Sequence, residues 1–569
     1  MSTVDAPSTP ASPPRTLDAL VQEHAELLAG AQEASHSRQY WSAFPESPSP
    51  RVYGESAAPE GEAAFRALLG RTFDLGQPND GTVVGSEESP YGLELGITYP
   101  HSSPQDLVAA ARTALPAWRY ATPQQRAAVC VEILRRINAR CFEMAHAVMH
   151  TSGQAFVMAF QAGGAHALDR GLEAVSYALQ EQQRHASSVV WEKPQGKRPP
   201  LRMEKTFTPV SRGIGLVIGC NTFPTWNAYP GLFASLATGN AVIVKPHPRA
   251  VLPLALTASI AREVLADYGF DPNVVTVAAE ADGERLAADL ATDPAIGIVD
   301  YTGSTGFGEW LEQNAHQALV FTEKAGVNSV ILESTDDYRA ALDNLAFTLS
   351  LYSGQMCTTT QNLYVPSAGI DTDEGHKGVD ELGSDLGAAL DKLLGDDERA
   401  AGILGAVVNA DVRSRLEAAP GSGDIAVPSR DVRAEAWPDA VIRTPTVVTV
   451  DGTDRDTYGR ECFGPVSYLV RAGSRDDAVA TFAGLTRERG ALTAGVYSTD
   501  ESFLRQVRAA ALDSGVALSE NLTGGVFVNQ TAAFSDFHAT GANPAANAAY
   551  ADGHFVAGRF RVIGSRRPV

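Results

Sequence analysis

Two successive α/β units, a layer of helices in front of them and a β-ribbon beside them are predicted from three features of the sequence. Short, nearly continuous apolar runs alternate with helical periodicity between residues 213 and 301, and the alternation restarts after Glu323. Two stretches of strictly alternating apolar and polar residues flank the loop Pro194-Gln195-Gly196-Lys197. Buried strands separated by helices imply a parallel sheet covered on both faces, whereas period-two alternation implies a half-exposed strand pair. At 569 residues the chain is too long for one ordinary core, so two or three structural units are expected.

Taken in order, residues 1–15 are rich in Ser, Thr and Pro without an apolar core, and read as a disordered tail rather than a signal peptide. An amphipathic helix is expected over 17–30, followed by irregular chain around Pro45, Pro48, Pro50 and Pro59. From Pro104 apolar residues recur every three to four positions, with Ser103 as a cap and Trp118 closing the helix; further helices are expected over 123–150 and 155–181. The ribbon strands start at Ser188 and Leu201, and such a ribbon is either a contact between subunits or an extension of a sheet within the monomer. Strands then follow at 213–219, 241–245, 273–277 and 296–301, with a helix over 226–238 after the first. Past Glu323 come a strand at 329–333, a helix over 337–352, a strand at 363–366 and a helix over 378–394. Residues 525–529 read as a strand, and 554–563 as a final edge strand able to pair with the ribbon of another subunit.

Composition excludes several classes. Forty-five basic against 67 acidic residues leave a net charge of −22, which repels phosphate backbones and anionic membranes, so no nucleic-acid or membrane partner is expected. No run approaches the roughly eighteen apolar residues of a membrane span. Cys130, Cys141, Cys220, Cys357 and Cys462 include no CxxC pair, which argues against a metal cluster or disulfide framework and fits a reducing cytoplasm.

The stretch Ser353-Gly354-Gln355-Met356-Cys357-Thr358-Thr359-Thr360 sets a lone cysteine in a small polar turn after an apolar helix. From the residues alone two readings stand: a nucleophile, or a small buried apolar residue. A nucleophile needs surroundings that favour the thiolate, and Gly354 with Thr358 to Thr360 is read as a turn opening a helix whose amides would supply them. The glycine-rich turn Tyr301-Thr302-Gly303-Ser304-Thr305-Gly306 lies between a strand and a helix, where free amides bind pyrophosphate, although a plain tight turn has the same composition.

Seven segments in order carry a resemblance: Gly219-Cys-Asn-Thr-Phe-Pro, Gly239-Asn-Ala-Val-Ile-Val-Lys-Pro, Thr302-Gly-Ser-Thr, Glu323, Gly354-Gln-Met-Cys, Glu461-Cys-Phe-Gly-Pro-Val and Val526-Phe-Val-Asn. Together, from about 104 to 563, they resemble the aldehyde dehydrogenase superfamily. The long N-terminal region, Cys220 and the segment Glu323-Lys-Ala-Gly-Val-Asn look most like the phenylacetate-degradation members (PaaN type).

The resemblance implies an aldehyde dehydrogenase-like α/β fold of two Rossmann-like domains with a β-ribbon oligomerisation arm. It places the cofactor-binding domain at 16–186 and 211–322, the ribbon at 187–210 and 546–569, and the catalytic domain at 323–545. Cys357 matches the nucleophile, Asn221 the side-chain oxyanion donor, and Glu323, 34 positions before the cysteine, the base that activates water. Asn227 is the rival to Asn221, but it lies thirteen rather than nineteen residues before Asn240. The base would need a pKa raised by a partly apolar pocket. The usual Glu-Leu-Gly-Gly-Lys is replaced here by Glu323-Lys324-Ala325-Gly326, and Lys324 is a candidate partner for the glutamate.

Lys245 matches the adenosine-ribose lysine, Gly303 and Ser304 the pyrophosphate contact, Glu461 the nicotinamide-ribose carboxylate, and Phe463 the residue beside that ring. Pro248 stands where NAD-preferring members commonly carry a glutamate, and His247 or Arg249 would meet a 2′-phosphate, so NADP is expected over NAD. The implied substrate is an aldehyde, a ring-opened semialdehyde carried on coenzyme A, with a homodimer or homotetramer and a separate hydratase or hydrolase as partners. Acyl transfer to coenzyme A and a non-catalytic scaffold of the same fold are the alternatives.

Overall fold

The computed structural model describes residues 16–324 and 326–569; the expected tail at 1–15 lies outside them. In place of one helix over 17–30 there are two, α1 (Leu17–Glu23) and α2 (Ala25–Ser37), broken at the buried His24, whose Nε2 lies 3.2 Å from Glu132. Helix α3 (Pro104–Tyr120) starts as expected, the Ser103 hydroxyl accepting the Asp106 amide at 3.1 Å. The span 123–150 divides at Arg140 into α4 (Pro123–Ala139) and α5 (Cys141–Ser152), the Arg140 guanidinium being engaged by Glu143 at 2.7 and 2.9 Å. The span 155–181 is likewise interrupted. A short helix Phe156–Phe160 passes through a π turn, Gln161–Ala165, into α6 (His166–Gln183). The widened turn frees the Gly163 carbonyl, which accepts the Thr225 hydroxyl at 2.7 Å and ties this layer to the segment carrying Trp226 and Asn227.

After the ribbon strands β1 (Ser188–Gln195) and β2 (Arg198–Ser211) comes a five-stranded parallel sheet. Its members are β3 (Ile214–Ile218), β4 (Ala241–Lys245), β5 (Val275–Val277), β6 (Ile296–Thr302) and β7 (Leu319–Glu323), in the order β5-β4-β3-β6-β7. Intervening helices α7 (Pro224–Ala237), α8 (Leu252–Asp267), α9 (Leu286–Ala291) and α10 (Thr305–Asn314) cover it. Every residue of β3 and β4 is buried, which explains their continuous apolar runs. The strand order reverses between β3 and β6, and this opens a crevice beyond their C-terminal ends.

The second sheet has seven strands: β8 (Ser329–Leu332), β9 (Asn362–Pro366), β10 (Asp424–Val427), β11 (Thr446–Asp451), β12 (Val466–Ala472), β13 (Thr493–Tyr497) and β14 (Ala517–Glu520). The order is β10-β11-β12-β9-β8-β13-β14, parallel except for β10. Glu323 ends the last strand of one sheet and Ser329 begins the first strand of the other.

Two expectations near the C-terminus need correction. Residues 525–529 form no strand: β14 already holds the sheet edge, and the segment is fixed by side chains instead, Phe527 stacking on Phe347 with centroids 4.2 Å apart and Asn344 Nδ2 donating to the Val526 carbonyl at 2.7 Å. Residues 546–559 pack on the first sheet rather than on the ribbon. Tyr550 donates to the Tyr301 carbonyl at 3.0 Å, a short helix spans Gly553–Ala557, and the fully buried Arg559 grips Asp300 of β6 at 2.8 and 2.5 Å. Strand β15 (Phe560–Pro568) then pairs antiparallel with β2 of its own chain, from Phe560 opposite Ser211 to Pro568 opposite Met203. The ribbon is thus a three-stranded sheet, β15-β2-β1, that leaves Val190, Leu201, Phe207, Val562 and Ile563 exposed. Among the described residues no helix is long and apolar enough to cross a membrane.

Candidate active site

A cavity of about 490 Å³ occupies the crevice, bounded by the loops after β3 and β6, the end of β7 and, from the second sheet, Cys357, Glu461 and Phe463. Another of about 500 Å³, lined by Arg413, Trp437 and Arg443 among others, holds none of the residues singled out from the sequence.

Cys357 does not open a helix. Only four residues separate it from β9, and the chain makes a single turn, the Thr359 amide donating to the Met356 carbonyl at 3.1 Å. What holds the cysteine is a strained approach: Tyr352, Ser353 and Gly354 all lie in the left-handed region, with φ of 52°, 50° and 63°. For Tyr352 and Ser353 this costs about 1–2 kcal/mol each, and the surrounding contacts must impose it. The Tyr352 hydroxyl donates to the Ser152 carbonyl, and the Ser353 hydroxyl to that of Leu404 at 3.1 Å. A Cβ at Gly354 would stand 2.4 Å from the Gly464 carbonyl oxygen, so only glycine lets the turn approach the Glu461–Pro465 segment. Asn328 completes the clamp. Its Nδ2 donates to the Cys357 and Thr359 carbonyls at 2.8 and 3.0 Å, and its Oδ1 accepts the Leu492 and Thr493 amides at 2.9 and 3.1 Å.

Facing the sulfur is a residue that the sequence did not single out. His538 Nε2 lies 3.5 Å from Cys357 Sγ and 3.1 Å from Glu323 Oε1, and ligand atoms of all three residues lie within 4.8 Å of one another. Asn227 Nδ2 donates to the same Glu323 oxygen at 3.3 Å, and Trp226 packs edge-on against the imidazole, centroids 4.4 Å apart. Lys324 does not pair with Glu323; its ammonium bonds Glu312 at 3.0 Å. Asn221 Nδ2 donates to the Thr151 carbonyl at 2.9 Å, which spends one of its two N–H groups, while its buried Oδ1 has no partner among the described residues.

Electrostatics here differ from expectation. Burial alone raises the Glu323 carboxyl, but the charge and hydrogen bond of His538, the hydrogen bond of Cys357 and the charge of Arg170 outweigh it, so the acid lies below rather than above its ordinary value. The Cys357 thiol is pushed well up, first by burial, then by the Glu323 charge and hydrogen bond and by Cys220. Among the described residues no helix terminus offsets this, and the sulfur keeps its proton until a neighbour takes it.

The other end of the cavity suits a dinucleotide. Gly303 donates its amide to the Glu323 carbonyl at 3.1 Å, a Cβ there would stand 2.4 Å from the Tyr301 hydroxyl, and α10 begins at Thr305 with its free amides toward the crevice. At the end of β4, Lys245 forms an ion pair with Glu280, whose other oxygen accepts the Leu286 amide at 3.0 Å. His247 is lowered to about 4 by burial and by the Lys245 and Arg249 charges, so it is neutral at pH 7, and the exposed Arg249 lies 3.7 Å from Glu88. Glu461 stands exposed at the mouth, yet the protein around it raises its carboxyl to about 7.

The aldehyde dehydrogenase family profile matches residues 93–542. The chain belongs to the aldehyde dehydrogenase family. Over 446 residues it is 28% identical to a vanillin dehydrogenase of Pseudomonas fluorescens, covering 76% of this chain and 82% of the relative. It is 54% identical to a crystallised NAD-dependent aldehyde dehydrogenase of Burkholderia multivorans, with a TM-score of 0.96 over 97% of this chain and 99% of that one. A 1-pyrroline-5-carboxylate dehydrogenase of Thermus thermophilus, 20% identical, shares the fold with a TM-score of 0.73 over 93% of this chain and 99% of that one.

This aldehyde dehydrogenase is thus an oxidoreductase with the two parallel-sheet domains of its family. All nine residues singled out from the sequence line the one cavity: Cys357, Glu323 and Asn221 at the sulfur end, Lys245, His247, Gly303 and Ser304 on the first sheet, Glu461 and Phe463 opposite. Asn227, Asn328 and His538 were missed as partners of Glu323 and Cys357. Asn227 was legible as a rival to Asn221. No spacing rule marks a histidine 181 positions after the cysteine.

Proposed function

We propose that this dehydrogenase oxidises an aldehyde to a carboxylic acid through a thioester on Cys357, with Glu323 as base for the hydrolytic water. The observation that carries the reading is the placement of Cys357 Sγ and a Glu323 carboxylate oxygen within 4.8 Å of each other, in a cavity that also holds Gly303, Glu461 and Phe463. Addition of sulfur to the carbonyl creates an oxyanion, and the second N–H of Asn221 together with the Cys357 amide are its donors. The bound cofactor supplies the hydride acceptor. Gly303 and the first turn of α10 hold its pyrophosphate, Glu461 its nicotinamide ribose, and Lys245 with Glu280 its adenosine ribose.

Glu280 bears on the choice of nucleotide. Pro248 does not leave the ribose subsite without an acid, because the loop after β5 brings Glu280 onto Lys245, while His247 is neutral and Arg249 is turned to Glu88. A carboxylate there accepts a 2′-hydroxyl and repels a 2′-phosphate, so NAD is favoured over the NADP that Pro248 alone suggests. The Burkholderia multivorans relative, described as NAD-dependent, supports this choice.

For the substrate, the likeness to phenylacetate-degradation members points to a ring-opened semialdehyde carried on coenzyme A, made by a separate hydratase or hydrolase, in the cytoplasm. The exposed apolar ribbon is the contact through which copies associate as a homodimer or homotetramer. The test is a steady-state screen of aliphatic, aromatic and coenzyme A-linked aldehydes with both nucleotides, with and without free coenzyme A. Acid formation without coenzyme A that disappears in Cys357→Ala is expected; a strict coenzyme A requirement would mean acyl transfer instead.

A further inference from the structure

We propose that His538 is a catalytic residue of this enzyme, the group that takes the proton from the Cys357 thiol and returns it when the acyl group leaves. The inference rests on the assignment of Cys357 as nucleophile and adds a role that the family comparison does not supply.

The imidazole is 3% exposed and enclosed by Trp226, Glu323 and Cys357. Its Nε2 is the atom shared between sulfur, at 3.5 Å, and Glu323 Oε1, at 3.1 Å, while its Nδ1 has no partner among the described residues. When the neutral ring carries its proton on Nδ1, the Nε2 lone pair faces both the thiol and a carboxylate. The carboxylate destabilises that lone pair and stabilises an N–H in its place, so Glu323 draws the sulfur proton onto Nε2. Other charged or titratable groups near the pair among the described residues include Cys220, whose thiol lies 3.6 Å from Asn227 Oδ1, Arg170, over Trp226 at 5.1 Å, and the buried Tyr550, which feels the Glu323 charge. Asp536, on the histidine's own loop, is turned to the Ala532 amide.

The steps balance. As the C–S bond forms, the S–H bond breaks, its proton goes to Nε2 and the carbonyl π pair goes to oxygen. Collapse of the oxyanion expels hydride with its electron pair to the nicotinamide cofactor, which is reduced as the aldehyde carbon is oxidised to a thioester. Water then attacks with its proton passing to Glu323, the C–S bond breaks with its pair on sulfur, and Nε2–H reprotonates the thiolate. His538 ends as it began; the protons released are the one on Glu323 and that of the product acid.

Alkylation of the enzyme without aldehyde or nucleotide isolates the first proton transfer. The rate of iodoacetamide modification of Cys357, followed by peptide mass spectrometry to separate it from the other four cysteines, is measured from pH 6 to 10. In His538→Gln the rate at pH 7 falls at least about tenfold, the gap closes toward pH 10 where hydroxide ionises the thiol unaided, and added imidazole restores part of the rate in His538→Ala. A His538→Gln protein that keeps its wild-type melting temperature and nucleotide affinity and is alkylated at the wild-type rate at pH 7 overturns the proposal. Slowed alkylation in an enzyme that oxidises no aldehyde would remove the thioester reading of the proposed function and leave only the proton transfer from Cys357 to His538 standing.

Discussion

Replacing Glu280 by glutamine tests where the nucleotide preference resides. The side chain keeps its size and an oxygen for the Leu286 amide, but the carboxylate that holds Lys245 is lost, and Lys245 is 6% exposed with Glu280 11% exposed. Two unit charges about 4 Å apart at an effective dielectric of about 20 interact by about 4 kcal/mol. Lys245, in direct contact, offsets much of the carboxylate field, which leaves about 1.4–2.7 kcal/mol of repulsion toward a 2′-phosphate, a tenfold to hundredfold discrimination. In Glu280→Gln that repulsion vanishes and the Lys245 ammonium becomes available to the phosphate. The ratio of kcat/KM for NAD to that for NADP should fall by about tenfold or more, mostly through KM. Steady-state kinetics with one aldehyde and both nucleotides reads the ratio. An unchanged ratio in a protein of unchanged stability would refute the argument and return the preference to the Pro248 position.

Glu323→Gln should act on both halves of the reaction unequally: a rapid-quench or stopped-flow burst of reduced nucleotide still close to one per site but slower than in the wild type, because His538 loses the carboxylate beside Nε2, then turnover slowed about 10²–10⁴-fold for want of a base for water. Nucleotide affinity should also follow pH through Glu461, whose carboxyl is raised to about 7. Above pH 7 it is a carboxylate for the ribose hydroxyls, and below it the neutral acid binds them less well, so the dissociation constant for NAD should rise as pH falls from 8 to 6 and flatten in Glu461→Gln. Asp300→Asn leaves the Arg559 guanidinium, 0% exposed, without its counter-ion; denaturant titration should show a loss of about 3–5 kcal/mol, part of which an added Arg559→Met change restores.

Much of the architecture follows from local pattern. The buried strands β3, β4, β6 and β8 read as continuous apolar runs because each is covered on both faces, and the alternation of elements that restarts after Glu323 belongs to the second sheet. Helix breaks at His24 and Arg140 were not legible, since the apolar periodicity runs on through both positions. The strand expected at 525–529 has the composition of one, but β14 already holds the edge it would need.

At the site the division has the same cause. The sequence by itself singled out groups that meet in one cavity, because Cys357, Asn221, Glu323, Lys245 and Glu461 sit in short segments whose order and spacing are covalent properties. Only the tertiary structure decided what those groups experience. His538, Asn328 and Glu280 reach Glu323, Cys357 and Lys245 from distant segments, and hydrogen bonds and charge act through space. A carboxylate expected to be raised is therefore lowered by an imidazole 215 residues away in sequence, and a subsite expected to lack an acid receives one from the loop after β5.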